Sequence, residues 1–347
     1  MEKAYNSIPS LYSYNPTQLS AILPLDRSYQ GKQIYQWLLK GCTDFDEMTT
    51  LSKELRLKLS NLPIKIRSSK VIEKQTDSSG ATKIAIELSD KNIVEAVLLI
   101  DKENRKTACL SSQVGCAMGC SFCRTATMGL IRNLKSYEII EQFVQLKEID
   151  DEITHIVYMG MGEPLANIEE VVDSINYLND PNGFNIGLRR ITVSTCGVVS
   201  GIEYLTKTDL PIRLAVSLIV ANDKKRELLM PINKAYPLQK LKRSLLDYQK
   251  GKGKRFTLEY VMLGGFNTSE ADAKDLATFI QDLDVIINLI PWNPAAELPW
   301  QTPNAKEIES FTHCLDKYRV PYTQRFSRGR EINGACGQLA TKKRQSQ

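Results

Sequence analysis

The 347-residue chain predicts an α/β fold: a partial (β/α)6 barrel with a small N-terminal helical domain, a β-hairpin extension and a C-terminal tail. Three observations carry this expectation. Apolar residues recur at helical spacing as far as about residue 75, and they change to strand-like runs between Thr82 and Ile100. From about residue 106, strand and helix patterns alternate six times, which argues for a parallel sheet with right-handed crossovers. About 220 residues suit an open six-stranded barrel better than a closed eight-stranded one. The expected units are therefore residues 1–75 (helical), 76–105 (hairpin connector), 106–327 (barrel) and 328–347 (tail).

In the first unit, Gln33-Ile-Tyr-Gln-Trp-Leu-Leu39 reads as an amphipathic helix ending at Gly41. Leu51, Leu55, Leu59 and Leu62 form a second, stopped by Pro63. Lys32, Lys40, Lys53, Arg56 and Lys58 fall on outer faces, so this module is either an RNA-docking element or a structural cap. The hairpin is Thr82–Leu88 and Ile93–Ile100, turned by Ser89-Asp-Lys-Asn92, and Glu95 in its second strand faces either solvent or the active site. Barrel strands are expected at Thr107–Ser111, Ile156–Met159, Ile191–Ser194, Leu214–Leu218, Phe256–Met262 and Val285–Ile290. Between them lie a helix capped by Ser136, a second on Ile168, Val171, Val172 and Ile175, and a run from Ser269 to Leu283. Catalytic groups should gather where these strands end.

The loop Gly115-Cys-Ala-Met-Gly-Cys-Ser-Phe-Cys-Arg124 spaces Cys116, Cys120 and Cys123 as C-x3-C-x2-C. A structural zinc site wants four protein ligands, whereas three thiolates on a four-cornered iron–sulfur cubane leave one iron free to chelate a small molecule. The spacing resembles the radical S-adenosylmethionine (SAM) superfamily, which implies a [4Fe-4S] cluster on these cysteines. The alternative is a zinc knuckle completed by Cys109 or a distant residue.

Composition is that of an ordinary globular enzyme, 42% hydrophobic and 24% charged. No apolar run reaches the roughly 20 residues that span a bilayer, and Met1-Glu-Lys-Ala-Tyr-Asn lacks a secretory pattern. A cytoplasmic, monomeric protein with no membrane partner is expected. Eight cysteines then suit metal and redox chemistry better than a disulfide framework. Net charge is +5, with residues 1–75 carrying 11 Lys/Arg against 7 Asp/Glu. The tail adds Arg325, Arg328, Arg330, Lys342, Lys343 and Arg344 against Glu331, so basic ends flank an acidic middle. Such ends suit a polyanion or are solvated surface.

Several strand ends carry polar or glycine-rich motifs. Met159-Gly-Met-Gly-Glu-Pro164 offers close backbone approach and Glu163 for a cation such as the SAM ammonium. Ser194-Thr-Cys-Gly197, Ser217-Leu218 and Asn293 follow other strands. His155 and His313, the only histidines, receive no role, since His155 begins a strand and His313 lies in a late helix. In the tail, Cys336 sits between Ala335 and Gly337, small neighbours that let it approach a ligand and move.

Together, Gln33-Ile-Tyr-Gln-Trp-Leu, Met48-Thr-Thr-Leu-Ser, Ser111-Ser-Gln-Val-Gly-Cys, Met159-Gly-Met-Gly-Glu-Pro-Leu, Met230-Pro-Ile-Asn, Glu259-Tyr-Val-Met-Leu, Leu289-Ile-Pro-Trp-Asn-Pro and Ala335-Cys-Gly-Gln-Leu resemble the RlmN/Cfr family of radical SAM RNA methyltransferases. The match covers nearly the whole chain and follows its adenine-C2 branch. The resemblance implies methylation of C2 of an adenine in 23S rRNA at the peptidyl transferase centre, and of the adenine 3′ of the anticodon in some tRNAs. It implies two SAM per turnover and an electron donor such as flavodoxin. Cys336 would carry the carbon as S-methylcysteine, Cys109 would resolve the RNA adduct through a transient disulfide with Cys336, and Glu95 would accept the C2 proton. SAM contacts would be Gly162, Glu163, Ser194, Ser217, Leu218, Ile219 and Asn293. One departure stands out: the family's Ser-Leu-His-Ala-Pro-Asn-Asp is here Ser217-Leu-Ile-Val-Ala-Asn-Asp223, and Ile219 has no side-chain hydrogen bond to give. The neighbouring reading is a Cfr-like enzyme acting on C8, and the reading from another class is a non-catalytic, metal-stabilised RNA-binding protein.

Overall fold

The computed structural model describes residues 8–295, 297–325 and 328–340, so the basic tail residues Lys342, Lys343 and Arg344 lie outside the described residues. Strands β1 (Lys70–Thr76), β2 (Thr82–Glu87), β3 (Ile93–Ile100) and β4 (Lys106–Cys109) run antiparallel to one another. Strands β5 (Gln113–Gly115) and β6 (Leu130–Asn133) pair apart from them as a small antiparallel sheet. From β4 the main sheet continues in parallel through β7 (His155–Tyr158), β8 (Ile191–Thr195), β9 (Arg213–Ser217), β10 (Phe256–Met262), β11 (Val285–Pro291) and β12 (Tyr322–Gln324). The order β1-β2-β3-β4-β7-β8-β9-β10-β11-β12 leaves β1 and β12 as edges, so the barrel is open.

All six expected barrel strands form, and β12 adds a seventh parallel strand that the sequence reading left out. A second difference is β1. Residues 70–75, read as part of the helical region, are extended and turn the expected hairpin into three antiparallel strands. Ser136 also differs from expectation. It is the first residue of its helix, and the preceding Lys135 N–H is satisfied by the Glu138 carboxylate at 2.9 Å.

The N-terminal module contains α1 (Pro16–Ile22), α2 (Tyr29–Leu39) and α3 (Lys53–Ser60) around a core of its own. Leu55 and Leu59 bury the inner face of α3, while Lys32, Lys40, Lys53 and Lys58 are exposed; Arg56 is half-buried and donates to the Asp46 carbonyl. After the short α4 (Arg124–Thr127) comes α5 (Ser136–Lys147), which joins the two cores. Its Ile139, Phe143 and Leu146 pack into the barrel, and its Ile140 and Val144 pack into the module. Between them Glu141 accepts from the N–H groups of Ser68 (2.8 Å) and Ser69 (2.9 Å), which satisfies a buried carboxylate.

The barrel strands are linked by α6 (Ile168–Asn179), α7 (Val199–Lys207), α8 (Asp223–Leu229), α9 (Leu238–Lys252), α10 (Glu270–Ile280) and α11 (Ala305–Lys317). Alternate strand residues, Thr107, Val157, Thr192, Ala215, Thr257 and Asn288 among them, face a cavity of about 950 Å³ inside the barrel. Among the described residues no helix is long and apolar enough to cross a membrane.

Candidate active site

The cysteine loop hangs between β5 and α4 at the C-terminal end of the barrel. Its neck admits only glycine: Gly115 has φ +75°, and a Cβ there would lie 1.9 Å from the Gly129 carbonyl. The loop is then held from outside. Cys116 N–H donates to Gly129 O (2.9 Å) and Ser121 N–H to Leu229 O (2.9 Å). The indoles of Trp292 and Trp300 donate to Phe122 O (3.0 Å) and Ser121 O (2.9 Å). The fixed backbone turns Cys116, Cys120 and Cys123 towards one another, and Cys123 acts electrostatically on both of the other thiols.

Burial pushes the Cys116 thiol up to about 12 and raises Cys120 and Cys123 as well, so bare thiolates are unfavourable there. A cationic centre bonded to all three removes that penalty, and the donor set fits an iron–sulfur cluster. Among the described residues no three His, Cys, Asp or Glu side chains close on a single ion, and a cubane places its thiolates on separate irons.

The tail lies directly on this loop. Arg124 N–H donates to Gly337 O (2.8 Å), Thr125 Oγ1 to Leu339 O (2.7 Å) and Asn293 Nδ2 to Cys336 O (3.1 Å). Cys336 is half-buried and lines the barrel cavity together with Cys109. Cys109 is buried, and burial followed by the nearby Cys336 pushes it up to about 12, with Arg325 opposing the rise. Both thiols are free, so the disulfide expected between them is not formed: each keeps its sulfur available to another partner.

Glu95 resolves the ambiguity left by the sequence, because its side chain is only 8% exposed. Val97 pairs with Cys109 across the β3–β4 ladder, so Glu95 sits diagonally from Cys109 on the same sheet face, at about 7 Å by strand geometry. Its Oε1 pairs with Lys83 Nζ at 3.0 Å, and Oε2 accepts from Ala340 N–H at 2.9 Å.

The remaining expected residues surround the same end of the barrel. Gly162 has φ +100°, and a Cβ there would come within 2.5 Å of Gln113 Cβ. Glu163 is buried with its N–H on Gln113 Oε1 (2.8 Å), while its carboxylate accepts from Leu165 N–H (3.0 Å) and Cys196 N–H (2.7 Å). Burial nonetheless raises its pKa above the ordinary carboxyl range. Ser194, next to last in β8, and Ser217, last in β9, are half-buried. Leu218 and Ile219 both donate to Glu259 O (3.1 and 3.3 Å), and Val220 N–H closes a tight turn onto Leu218 O at 2.8 Å. Ile219 occupies that turn at φ +64°, unusual for a β-branched residue, with its side chain fully buried. The side chain at position 219 therefore has no polar group for a ligand, and its carbonyl already accepts from Asn267 Nδ2 at 2.8 Å. Asn293 is committed to the tail at both ends of its amide, since Oδ1 accepts from Arg330 Nε at 2.8 Å.

Sequence reasoning missed three charged residues. Arg226 is fully buried and donates to Leu218 O (3.2 Å), Cys196 O (2.7 Å) and Asn233 Oδ1 (2.8 Å), tying the ends of β8 and β9 together. Cys196, which drew no role, is the link: its N–H serves Glu163 and its C=O serves Arg226. Glu259 and Arg325 face the cavity near the two thiols, with Asn288 Nδ2 donating to Glu259 at 2.7 Å. Lone charges inside amphipathic or apolar stretches carry no spacing signal. Only the sequence Glu259-Tyr-Val-Met-Leu, within the family resemblance, pointed at one of them.

An open parallel barrel with a three-thiol loop at its C-terminal end defines the class: this is a radical SAM enzyme. The radical SAM superfamily model matches residues 110–280, and the ribosomal RNA large subunit methyltransferase N-terminal domain model matches residues 22–64. Among curated proteins, a probable dual-specificity RNA methyltransferase RlmN of Treponema pallidum is 43% identical over 324 residues, covering 93% of this chain and 95% of its own. The dual-specificity RNA methyltransferase RlmN of Desulfotalea psychrophila is 41% identical over 327 residues, covering 90% and 89%. A crystal structure of a radical SAM methyltransferase from Sphaerobacter thermophilus superposes with TM-score 0.89 at 38% identity, covering 95% of this chain and 98% of that one. The chain belongs to the RlmN family of radical SAM methyltransferases.

Proposed function

We propose that the protein methylates C2 of an adenine in RNA, at the peptidyl transferase centre of 23S rRNA and 3′ of the anticodon in some tRNAs, carrying the carbon on Cys336. The observation that supports this reading most strongly is the placement of Cys336: its loop is bonded to the cluster loop, and its side chain shares a cavity with Cys109. An ordinary methyl transfer fails at C2, which lies between two ring nitrogens and is too electron-poor to attack an electrophilic methyl group. A sulfur carrier beside a radical source avoids that obstacle.

Cys116, Cys120 and Cys123 would hold the cluster, with Gly162, Glu163, Ser194, Ser217, Leu218, the backbone of Ile219 and Asn293 around SAM. When bound, these groups supply an electron, a methyl group and a hydrogen-abstracting radical, with two SAM used per turnover and flavodoxin or a similar donor as the electron source. Cys336 Sγ takes the methyl and presents the carbon to C2. Cys109 stands beside it as the resolving thiol. Glu95, paired with Lys83 at 3.0 Å, accepts the C2 proton. The protein acts as a cytoplasmic monomer in this reading.

The test is anaerobic reconstitution with iron, sulfide, SAM, reductant and RNA, followed by chromatography and mass spectrometry of the digested nucleosides. 2-Methyladenosine supports the proposal. 8-Methyladenosine assigns the chain to C8 chemistry, and no methylated adenosine with a formed cluster rejects RNA methylation. Cys336→Ala should abolish the product, and Cys109→Ala should leave RNA covalently attached on a denaturing gel.

A further inference from the structure

The opposite end of the barrel carries charge that the chemistry so far does not use. Arg105 immediately precedes β4, His155 opens β7, Arg190 immediately precedes β8 and Arg213 opens β9, so the N-terminal ends of four adjacent strands each present a basic residue. All four line the same cavity that reaches Cys109 and Cys336. Their proximity is also electrical: after burial itself, Arg105, Arg190 and Arg213 are what hold the His155 pKa down.

Acids only partly offset this collar. Asp101 pairs with Arg105 at 2.6 Å, and Glu103 lies on the same rim, while Lys102 and Arg328 add further cations. Among the described residues, the Arg190 and Arg213 side chains make no hydrogen bond or ion pair, although both are exposed at the rim. The N-terminal face of a parallel barrel is ordinarily where residues serve stability. Unpaired guanidinium groups add little to stability and are suited to phosphate.

At the other end the tail lies across the cluster loop, held by Arg124 N–H, Thr125 Oγ1 and Asn293 Nδ2. A base that reaches Cys336 through the lumen from the basic end leaves these three bonds intact. The lumen offers Thr107, Thr192, Thr257 and Asn288 to hydrogen-bond a base edge. Its volume of about 950 Å³ admits a single extruded nucleotide and excludes a duplex.

We propose that RNA enters the barrel from the N-terminal ends of the strands, one unpaired nucleotide passing up the lumen to Cys336 while Arg190 and Arg213 hold the flanking phosphates. This rests on the RNA methylation reading and adds where the strand enters and which residues grip it. The neutral His155 ring lies between the guanidinium groups as an uncharged wall against which ribose or base can pack.

The test compares reconstituted wild-type protein with Arg190→Glu/Arg213→Glu, using a short RNA hairpin that bears an unpaired loop adenine. Binding is titrated over a series of salt concentrations, and iron content with the cluster absorbance serves as the folding control. Loss of two phosphate contacts should weaken binding by at least about tenfold near 0.1 M salt and flatten the slope of log K against log salt by about 1.5. In turnover the loss should fall mainly on KM for RNA. If the reversed variant does not hold its cluster, Arg190→Gln/Arg213→Gln is titrated in its place and should show the same flattening to the same extent. Unchanged affinity and slope overturn the entry route, even when the wild type methylates RNA normally. A wild type that binds this hairpin with the steep slope but methylates no RNA rejects the methylation reading alone.

Discussion

Glu95 and Glu163 are both buried glutamates at the same end of one barrel, yet their surroundings prepare them for different work. Glu95 is neutralised at rest by Lys83, with both side chains about a tenth exposed, and its second oxygen holds the tail through Ala340 N–H. Glu163 instead accepts from the backbone N–H groups of Leu165 and Cys196, with the neutral side chains of Thr195 and Cys196 also in reach. The cation Arg226 lies beyond Cys196, spending its donors on carbonyls and on Asn233. A buried carboxylate with hydrogen bonds but no counter-ion is raised in pKa and gains most when a cation arrives. Glu163 thus has an unmet need for positive charge that a cationic ligand would fill, whereas Glu95 already has Lys83.

The largest effect expected is that of Glu95→Gln. It leaves Lys83 buried without its counter-charge, a change that costs about 3–5 kcal/mol. Chemical denaturation should show this loss, and the variant should accumulate RNA attached to Cys336 because the C2 proton has no acceptor. The double variant Lys83→Met/Glu95→Gln should recover much of the stability and none of the release. Stability equal to wild type in Glu95→Gln would mean the pair is not a buried charge couple, and the contrast with Glu163 would fail.

Glu163→Gln should cost less, about 1–3 kcal/mol, since it orphans one backbone donor and no cation. Its signature lies in SAM binding by calorimetry, expected to weaken by about 10–100-fold. A SAM concentration that stabilises the wild type by about 2.7 kcal/mol should then stabilise the variant by about 0.4–1.4 kcal/mol. A pH series sharpens the point. Burial raises the folded pKa of Glu163, so above the ordinary value of 4.5 the unfolded chain releases its proton first. That contribution to stability is complete below 4.5 and is lost as pH rises through the folded pKa, so the wild-type advantage over Glu163→Gln should shrink in that direction. An advantage growing with pH would show that Glu163 already has a cation.

Much of this arrangement was legible in the sequence, for identifiable reasons. Cys116, Cys120 and Cys123 announce themselves by spacing, and β3 and β10 by dense β-branched and aromatic runs whose bounds came out as read. Strand β1 was missed because Lys-Val-Ile-Glu-Lys-Gln-Thr is an edge strand largely exposed on both faces, with no contrast for alternation to reveal. Strand β12 was missed because three residues are too few for any period. Arg226 was invisible because Asp-Lys-Lys-Arg-Glu-Leu-Leu reads as a solvated helix, and only tertiary packing turns that one cation inward. Ile219 in a left-handed turn contradicts local preference altogether, so no propensity argument could place it. Lys83 was passed over as an ordinary polar position in a strand, and so the difference between the two glutamates could not be foreseen.

The smallest expected effect separates the glutamates by their tie to the tail. Thr125→Val keeps shape but removes the donor to Leu339 O, leaving a buried carbonyl unpaired at a local cost of about 1–2 kcal/mol. The cost should fall on tail opening, because Thr125 Oγ1 is one of the few bonds that hold residues 335–340 to the cluster loop. Hydrogen exchange reads it directly: Ala340 N–H, bonded to Glu95 Oε2, and Arg124 N–H, bonded to Gly337 O, should exchange about 5–30-fold faster. Glu95 then loses its tail partner and keeps Lys83, while Glu163 is untouched, so SAM affinity should hold at the wild-type value. Faster exchange at Ala340 with SAM affinity unchanged places the tail on the Glu95 side of the site. A fall in SAM affinity together with unchanged exchange would place it with Glu163 and reverse the assignment of the two carboxylates.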